Sequence, residues 1–250
     1  MIRKKRKLLI SIILIVIVLL LITLVIFAKE KNTEQVGDNI NEEELKMNFN
    51  ERFNNFGNEY VSTLYQIYEE ESGKYKIEAD IPYVHIADQI NNEVNKEIND
   101  IFVNKLLQVV NSNQIYTRLT VDYAASNNDN IVSLIIRCTL KEGNNAQRTI
   151  IKTYNYNLET LKKVGILEVI PEAKRESIQN KINQEIQKKI NNENTIISQG
   201  FNVYRRDAES DIYLLKNATE FYIENNTLYI IYSYGNNSYT SEMDLIIDKI

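Results

Sequence analysis

VSTLYQIYEEESGKYKIEADIPYVHIADQINNEVNKEINDIFVNKLLQVV, residues 61–110, changes its hydrophobic period once. Val61, Thr63, Tyr65 and Ile67 alternate with more polar neighbours, and Tyr75, Ile77, Ala79 and Ile81 do the same after Ser72-Gly73. A period of two places such residues on one face of a strand and Ser-Gly supplies a turn, so this half predicts a β-hairpin with one buried face. Pro82 cannot donate to a ladder and is expected to end the second strand. From Ile86 the period lengthens. Ile86, Ile90, Val94, Ile98, Ile101, Leu106 and Val109 form the apolar stripe of an amphipathic helix of about 24 residues, with Asn, Glu and Lys on its outer face. His85, the only histidine, stands where that helix begins.

Three strand-like runs follow at 114–124, 131–140 and 148–157, separated by Ser126–Asn130 and Gly143–Asn145, residues that accept turn geometry. Loops this short cannot make parallel crossovers, so an antiparallel meander is expected. A second helical stripe, Ile178, Ile182, Ile186 and Ile190, comes after Ile170-Pro171. Residues 90–98 and 178–186 share the pattern I-x-N-x-[IV]-N-x-E-I, which either internal repetition or chance in an Asn-rich chain would produce. Further strand candidates lie near 202–204, 218–224, 227–234 and 238–247, with Asn225-Asn226 as a tight hairpin turn. The predicted class is α+β: antiparallel sheets packed with two amphipathic helices, preceded by one N-terminal transmembrane helix.

That first helix is read from Leu8 to Ala28, LLISIILIVIVLLLITLVIFA. At roughly 1.5 Å per residue it covers the ~30 Å hydrocarbon core of a bilayer. Arg3, Lys4, Lys5, Arg6 and Lys7 precede it with no acid among them, and this charge keeps the N-terminus in the cytoplasm. Everything after Ala28 is then expected outside the cell. The rival reading is a cleaved signal peptide with Ile26 and Ala28 at positions −3 and −1, although its apolar core would be unusually long. The expected organisation is a cytoplasmic tail (1–7), the transmembrane helix (8–28), a polar tether (29–58) and two α+β subdomains (59–158 and 159–250). Leu45, Phe49, Phe53 and Phe56 are the scattered apolar residues of that tether.

All 34 acidic residues but only 24 of the 29 basic ones follow Ala28, leaving the exported part at −10. Such a domain repels nucleic acid and anionic lipid. Solubility alone explains an acidic domain, and a cationic partner is the sharper alternative. Cys138 is the single cysteine, which rules out an intramolecular disulfide, and within the apolar run 131–140 it reads as a small buried hydrophobe. One histidine cannot supply the two or more that histidine-based metal hydrolases need. No Gly-flanked serine elbow and no Gly-rich phosphate loop occur. Glu69-Glu70-Glu71 and the group Asp207, Glu209 and Asp211 are carboxylate clusters of the kind that usually sit solvated at turns and strand edges. The expectation is a binding protein, not an enzyme, with no metal and no cofactor. The Asn- and Ile-rich, Trp-free composition fits an AT-rich bacterial genome, and an exposed domain without disulfides suggests a Gram-positive cell.

The order of elements resembles a known architecture. An anchor, then Tyr75-Lys-Ile-Glu-Ala-Asp-Ile-Pro82, the Ile-spaced helix, Thr153-Tyr-Asn-Tyr-Asn-Leu158, the helix 172–192 and the run Glu220-Phe-Tyr-Ile-Glu-Asn-Asn-Thr-Leu-Tyr-Ile-Ile-Tyr232 are similar to the paired extracellular domains of anti-sigma-V factors and of some peptidoglycan deacetylases. The similarity spans about residues 60–250. It implies an ectodomain that binds lysozyme; in the deacetylases the same pair precedes a catalytic domain. The chain departs from both. The seven residues before Leu8 are expected to be too short to hold a sigma factor, no deacetylase domain is expected after Ile250, and Tyr232–Tyr239 is shorter than the usual loop. Two functions follow as expectations: a surface-anchored binding or sensing module for a cationic, lysozyme-type protein, or an accessory envelope protein beside a separately encoded peptidoglycan-modifying enzyme. For the first, the expected contact residues are Tyr229, Tyr232, Tyr234 and Tyr239, since tyrosine joins apolar area to a polar tip. Asp207, Glu209 and Asp211 are the expected steering charges. The competing reading of the 16 tyrosines is β-propensity alone.

Overall fold

The period of two at 61–81 produces the hairpin it predicts, β1 (Val61–Glu71) and β2 (Tyr75–Val84), with Gly73 at a φ of +77° in the turn. In this computed structural model the described residues are 49, 53, 57–111, 115–201, 203–234 and 242–250. The tail, the span 8–28 and most of the tether lie outside them; among the described residues no helix is long and apolar enough to cross a membrane.

Pro82 does not end β2. The ladder to the third strand stops at Ala79–Val121, so beyond Ala79 only β1 is bonded to β2. There β1 bulges between Thr63 and Tyr65, opposite Pro82, and the missing donor is tolerated.

The helical stripe forms α1 (Asp88–Ile98), a π-helical turn (Asn99–Val103) and α2 (Asn104–Asn111). The wider π turn shifts the phase, so Phe102 takes the core position expected for Ile101 and is fully buried. This helical connection carries the chain back along the sheet. The next strand, β3 (Thr117–Asn128), therefore pairs with β2 in parallel. The expectation of purely antiparallel sheets fails at this one joint, because the helix supplies the crossover that a short loop cannot. The meander holds for the rest: β3, β4 (Ile131–Glu142) and β5 (Arg148–Asn157) are antiparallel, and the two-residue β6 (Lys162–Lys163) closes a mixed sheet in the order β1-β2-β3-β4-β5-β6. Ile90, Val94, Ile98, Phe102 and Leu106 pack with Ile77, Ile81, Leu119, Val121 and Ile136 in the first core.

After a short α3 (Ile166–Val169), the second stripe forms α4 (Glu172–Ser198), whose Ile178, Ile182 and Ile186 are buried. It shares a second core with an antiparallel sheet of β7 (Phe221–Glu224), β8 (Thr227–Ser233) and β9 (Met243–Lys249), ordered β7-β8-β9. Asn225 and Asn226, at φ of 50° and 57°, make the tight turn between β7 and β8. No strand forms at 203–204, which belong instead to the irregular stretch that returns from α4.

The two sheets meet through a polar seam. β7 is the edge of its sheet, and its outward backbone groups find partners among side chains of the first sheet instead of another strand. Asn155 Nδ2 donates to Phe221 O at 2.8 Å and Phe221 N donates to Thr153 Oγ1 at 3.1 Å. Ser126 Oγ donates to Ile223 O, and Ile223 N donates to Ser133 Oγ at 3.4 Å. Ser133, Asn155, Thr153 and Ser126 are buried, so each bond replaces one that water would otherwise supply. Residues Lys46–Ile250 form one compact unit around the two cores.

Candidate functional site

Covered on both faces in the middle of its sheet, β8 turns the expected contact tyrosines inward. Tyr229 is fully buried, stacked at 5.5 Å on Phe49 and 6.1 Å from Tyr222. Tyr232 and Tyr234 share a face as expected, but it is the inner face, within the core formed with α4. Tyr232 meets Tyr213 edge-on at 5.1 Å, and Tyr234 stacks on Tyr204 at 3.9 Å. Burial raises the phenol pKa of Tyr232 and of Tyr234, and pushes that of Tyr213 to about 12. Tyr229, Tyr232 and Tyr234 are thus packed as core residues, although Tyr232 and Tyr234 also edge a cleft; Tyr239 lies outside the described residues. The steering charges are where a partner could reach them, with Asp207, Glu209 and Asp211 all exposed.

Beneath that acidic stretch lies a buried cation. Arg206 leaves the irregular segment after α4, and its guanidinium is only 5% exposed. Its Nε donates to Asp244 Oδ2 at 2.5 Å and its Nη2 to Asp244 Oδ1 at 3.0 Å, a two-pronged pair that fits the planar fork. Nη1 donates to Glu193 Oε1 at 2.7 Å and Nη2 also reaches Glu242 Oε2 at 3.1 Å. Tyr234 OH donates to Asp244 Oδ2 at 2.9 Å and shares a bond of 2.8 Å with Tyr213 OH. Burial on its own would lower the Arg206 pKa, but the bonds to Asp244 and Glu193 outweigh it and the pKa is raised. The cluster ties α4, the return segment and β9 together, with its donors and acceptors turned on one another.

Two clefts flank the turn 211–217 above this cluster. One, about 490 Å³, runs along α4 and is lined by Gln179, Asn183, Gln187, Glu209 and Asp211. Gln179 is fixed there, donating to Tyr213 O at 3.0 Å and accepting from Leu215 N at 2.7 Å. Asp207 Oδ1 accepts from Glu209 N at 3.0 Å, which sets the turn that presents the acids. The other cleft, about 530 Å³, lies toward the first sheet, where Lys152 pairs with Glu220 at 3.2 Å and Asp211 again contributes. Both volumes fall in the range of ligand pockets. Amide side chains beside Glu209 and Asp211, which pair with no cation among the described residues, suit an ammonium or guanidinium group, since they offer acceptors. Among the described residues, no three His, Cys, Asp or Glu side chains group as metal ligands.

Cys138 lies in the first core, and burial pushes its thiol pKa up to about 12. At neutral pH it is a thiol without access to solvent, so iodoacetamide is expected to leave the folded chain unmodified and to alkylate it once in denaturant, as read by mass spectrometry. Rapid labelling of the native chain would contradict this burial.

Other residues emerge only in three dimensions. Phe49 and Phe53, expected in the tether, are both buried, and the Arg137 guanidinium lies 4.0 Å above the Phe53 ring. Arg206 carries no signal that separates it from its exposed neighbour Arg205. The two most exposed tyrosines, Tyr65 and Tyr68, sit on β1 beside the exposed Leu64, and Tyr83 and Tyr116 are exposed outside it.

Neither a protein-family model nor a curated protein matches the chain. Among solved structures it is similar to a DUF3298 family protein from Pseudomonas aeruginosa PAO1, at 11% identity and a TM-score of 0.43 over 74% of this chain and 86% of that one. It is also similar to a member of the same family from Bacteroides fragilis NCTC 9343, at 9% identity and a TM-score of 0.42 over 76% and 89%.

Proposed function

We propose that this chain is a binding module of the bacterial cell envelope, anchored through Leu8–Ala28 with residues 46–250 outside the membrane, and that it takes a cationic protein of the lysozyme type. The observation that carries the reading is the acidic turn: Glu209 and Asp211 are exposed, line the amide-floored groove of α4, and belong to a region, 29–250, of net charge −10. The resemblance to lysozyme-binding ectodomains supports it. Tyr232 and Tyr234 act in this reading from the interior, both packing on Tyr213 of the turn and Tyr234 also bonding Asp244, which grips Arg206.

Surface charge speeds encounter more than it deepens affinity, and salt screens it. Neutralising the turn as Asp207→Asn, Glu209→Gln and Asp211→Asn together is expected to slow association with lysozyme about tenfold at low salt. The difference should shrink as salt rises, with dissociation changed less. Surface plasmon resonance at two salt concentrations checks this. Equal binding of an unrelated protein of the same positive charge, or an unchanged association rate in the triple variant, would remove the specific claim.

A further inference from the structure

The long edge strand β1 is exposed along most of its length, and no described strand lies on its outer side. Among the described residues, only its first is bonded on that side: Val61 exchanges backbone bonds with Asn58. From Ser62 to Glu71 the strand exposes Leu64 (48%), Tyr65 (49%) and Tyr68 (65%). Edge strands are normally blunted by being short, by lysines or by proline. Here β1 has eleven residues, no lysine and no proline, and only the bulge at Leu64 and the run Glu69–Glu71 interrupt it.

We propose that β1 is a homodimer interface, in which a second copy of this chain pairs its own β1 antiparallel to the first about a twofold axis at Gln66. The sequence is self-complementary about that residue. With Gln66 facing Gln66, Tyr65 meets Ile67 and Leu64 meets Tyr68, so every exposed apolar side chain of the strand has an apolar partner. The same register sets Glu69 and Glu70 opposite Thr63 and Ser62, which are uncharged, and keeps the two acidic runs at opposite ends of the ladder. Shifting the axis to Tyr68 would instead place Glu69 and Glu71 against Ile67 and Tyr65. The patch therefore fits itself in one register, as a twofold interface requires. The side chains are also held ready. Gln66 Nε2 donates to Asp80 Oδ1 at 3.0 Å and Tyr68 OH donates to Asp80 Oδ2 at 2.8 Å, which fixes both against the neighbouring strand.

The test is disulfide trapping in the full-length chain, in detergent micelles and in membranes. Cys138 is buried, so a single introduced cysteine reports by itself. Gln66→Cys should give a disulfide-linked dimer under mild oxidation. Glu70→Cys on the same strand should not, because in this register the two copies of residue 70 are about 26 Å apart at roughly 3.3 Å per residue. Adding Tyr65→Lys and Tyr68→Lys to Gln66→Cys should reduce the trapped dimer at least tenfold. In sedimentation velocity the same two lysine substitutions in the otherwise unaltered chain should convert dimer to folded monomer. A monomer at every concentration, no cross-link at residue 66 because another segment of the chain covers the edge, or equal cross-linking at 66 and 70, would overturn the proposal.

Discussion

Replacing Arg206 by methionine is expected to destabilise the domain by about 3–5 kcal/mol, the usual cost of removing one partner from a buried ion pair. Methionine matches much of the arginine stem, so the loss would come from the charges left behind. Asp244 and Glu193 have side chains 2% and 8% exposed, and each now receives at least one guanidinium N–H. Lys189 Nζ, 3.9 Å from Asp244 Oδ1, is half exposed and cannot substitute. Arg206→Lys should recover part of the loss, because it restores the charge without the fork that grips Asp244 with two nitrogens. Arg205→Met supplies the contrast. That residue is exposed one position away, and its replacement should change stability by no more than about 0.5 kcal/mol. Urea unfolding of the three variants at neutral pH measures all of this, and a methionine variant at 206 as stable as the one at 205 would mean that the guanidinium does not hold α4 to β9.

The contrast between the two arginines shows where the sequence stops being legible. Periodicity reports which face of an element is apolar, and it located both hairpin strands, the meander, the Ile178–Ile186 helix and the Asn225-Asn226 turn. It does not report what covers the other face. The run from Tyr222 to Tyr234 looks half exposed in sequence, yet β8 is central and covered twice, so its tyrosines are interior. Ser126 reads as a turn residue and no period singles out Ser133, Thr153 or Asn155, yet all four are strand residues that bond the edge of β7. The parallel joint between β2 and β3 was hidden for a related reason: a helical connection long enough to reverse the direction of the next strand fits either pairing, and only the packing of α1 and α2 on the sheet decides between them. The acidic turn was legible because charge at a turn needs no partner to be recognised.

Phe49→Ala is expected to cost about 3 kcal/mol of stability, and a chain starting at Tyr60 should be less stable than one starting at Lys46 by about 4 kcal/mol. The polar composition of 29–58 suggests a spacer that the domain could lose freely. The rings say otherwise. Phe49 is 1% exposed and Phe53 3%; they contact each other edge-on at 5.6 Å, Phe49 stacks on Tyr229, and Phe53 lies under Arg137. That guanidinium is itself paired with Asp122, its Nε donating to Oδ1 at 2.9 Å and its Nη2 to Oδ2 at 2.8 Å, so removing Phe53 also uncovers a charge pair. A double-mutant cycle of Phe49→Ala with Tyr229→Leu isolates the aromatic contact, and a coupling of about 0.5–1.5 kcal/mol is the expected value for such a pair. Loss of less than about 1 kcal/mol in Phe49→Ala, or no coupling to Tyr229, would return these residues to the spacer. If the loss is as large as expected, the folded domain begins at or before Phe49 and not at Glu59, and the polar stretch between the apolar run 8–28 and the domain is at least ten residues shorter than its composition suggests.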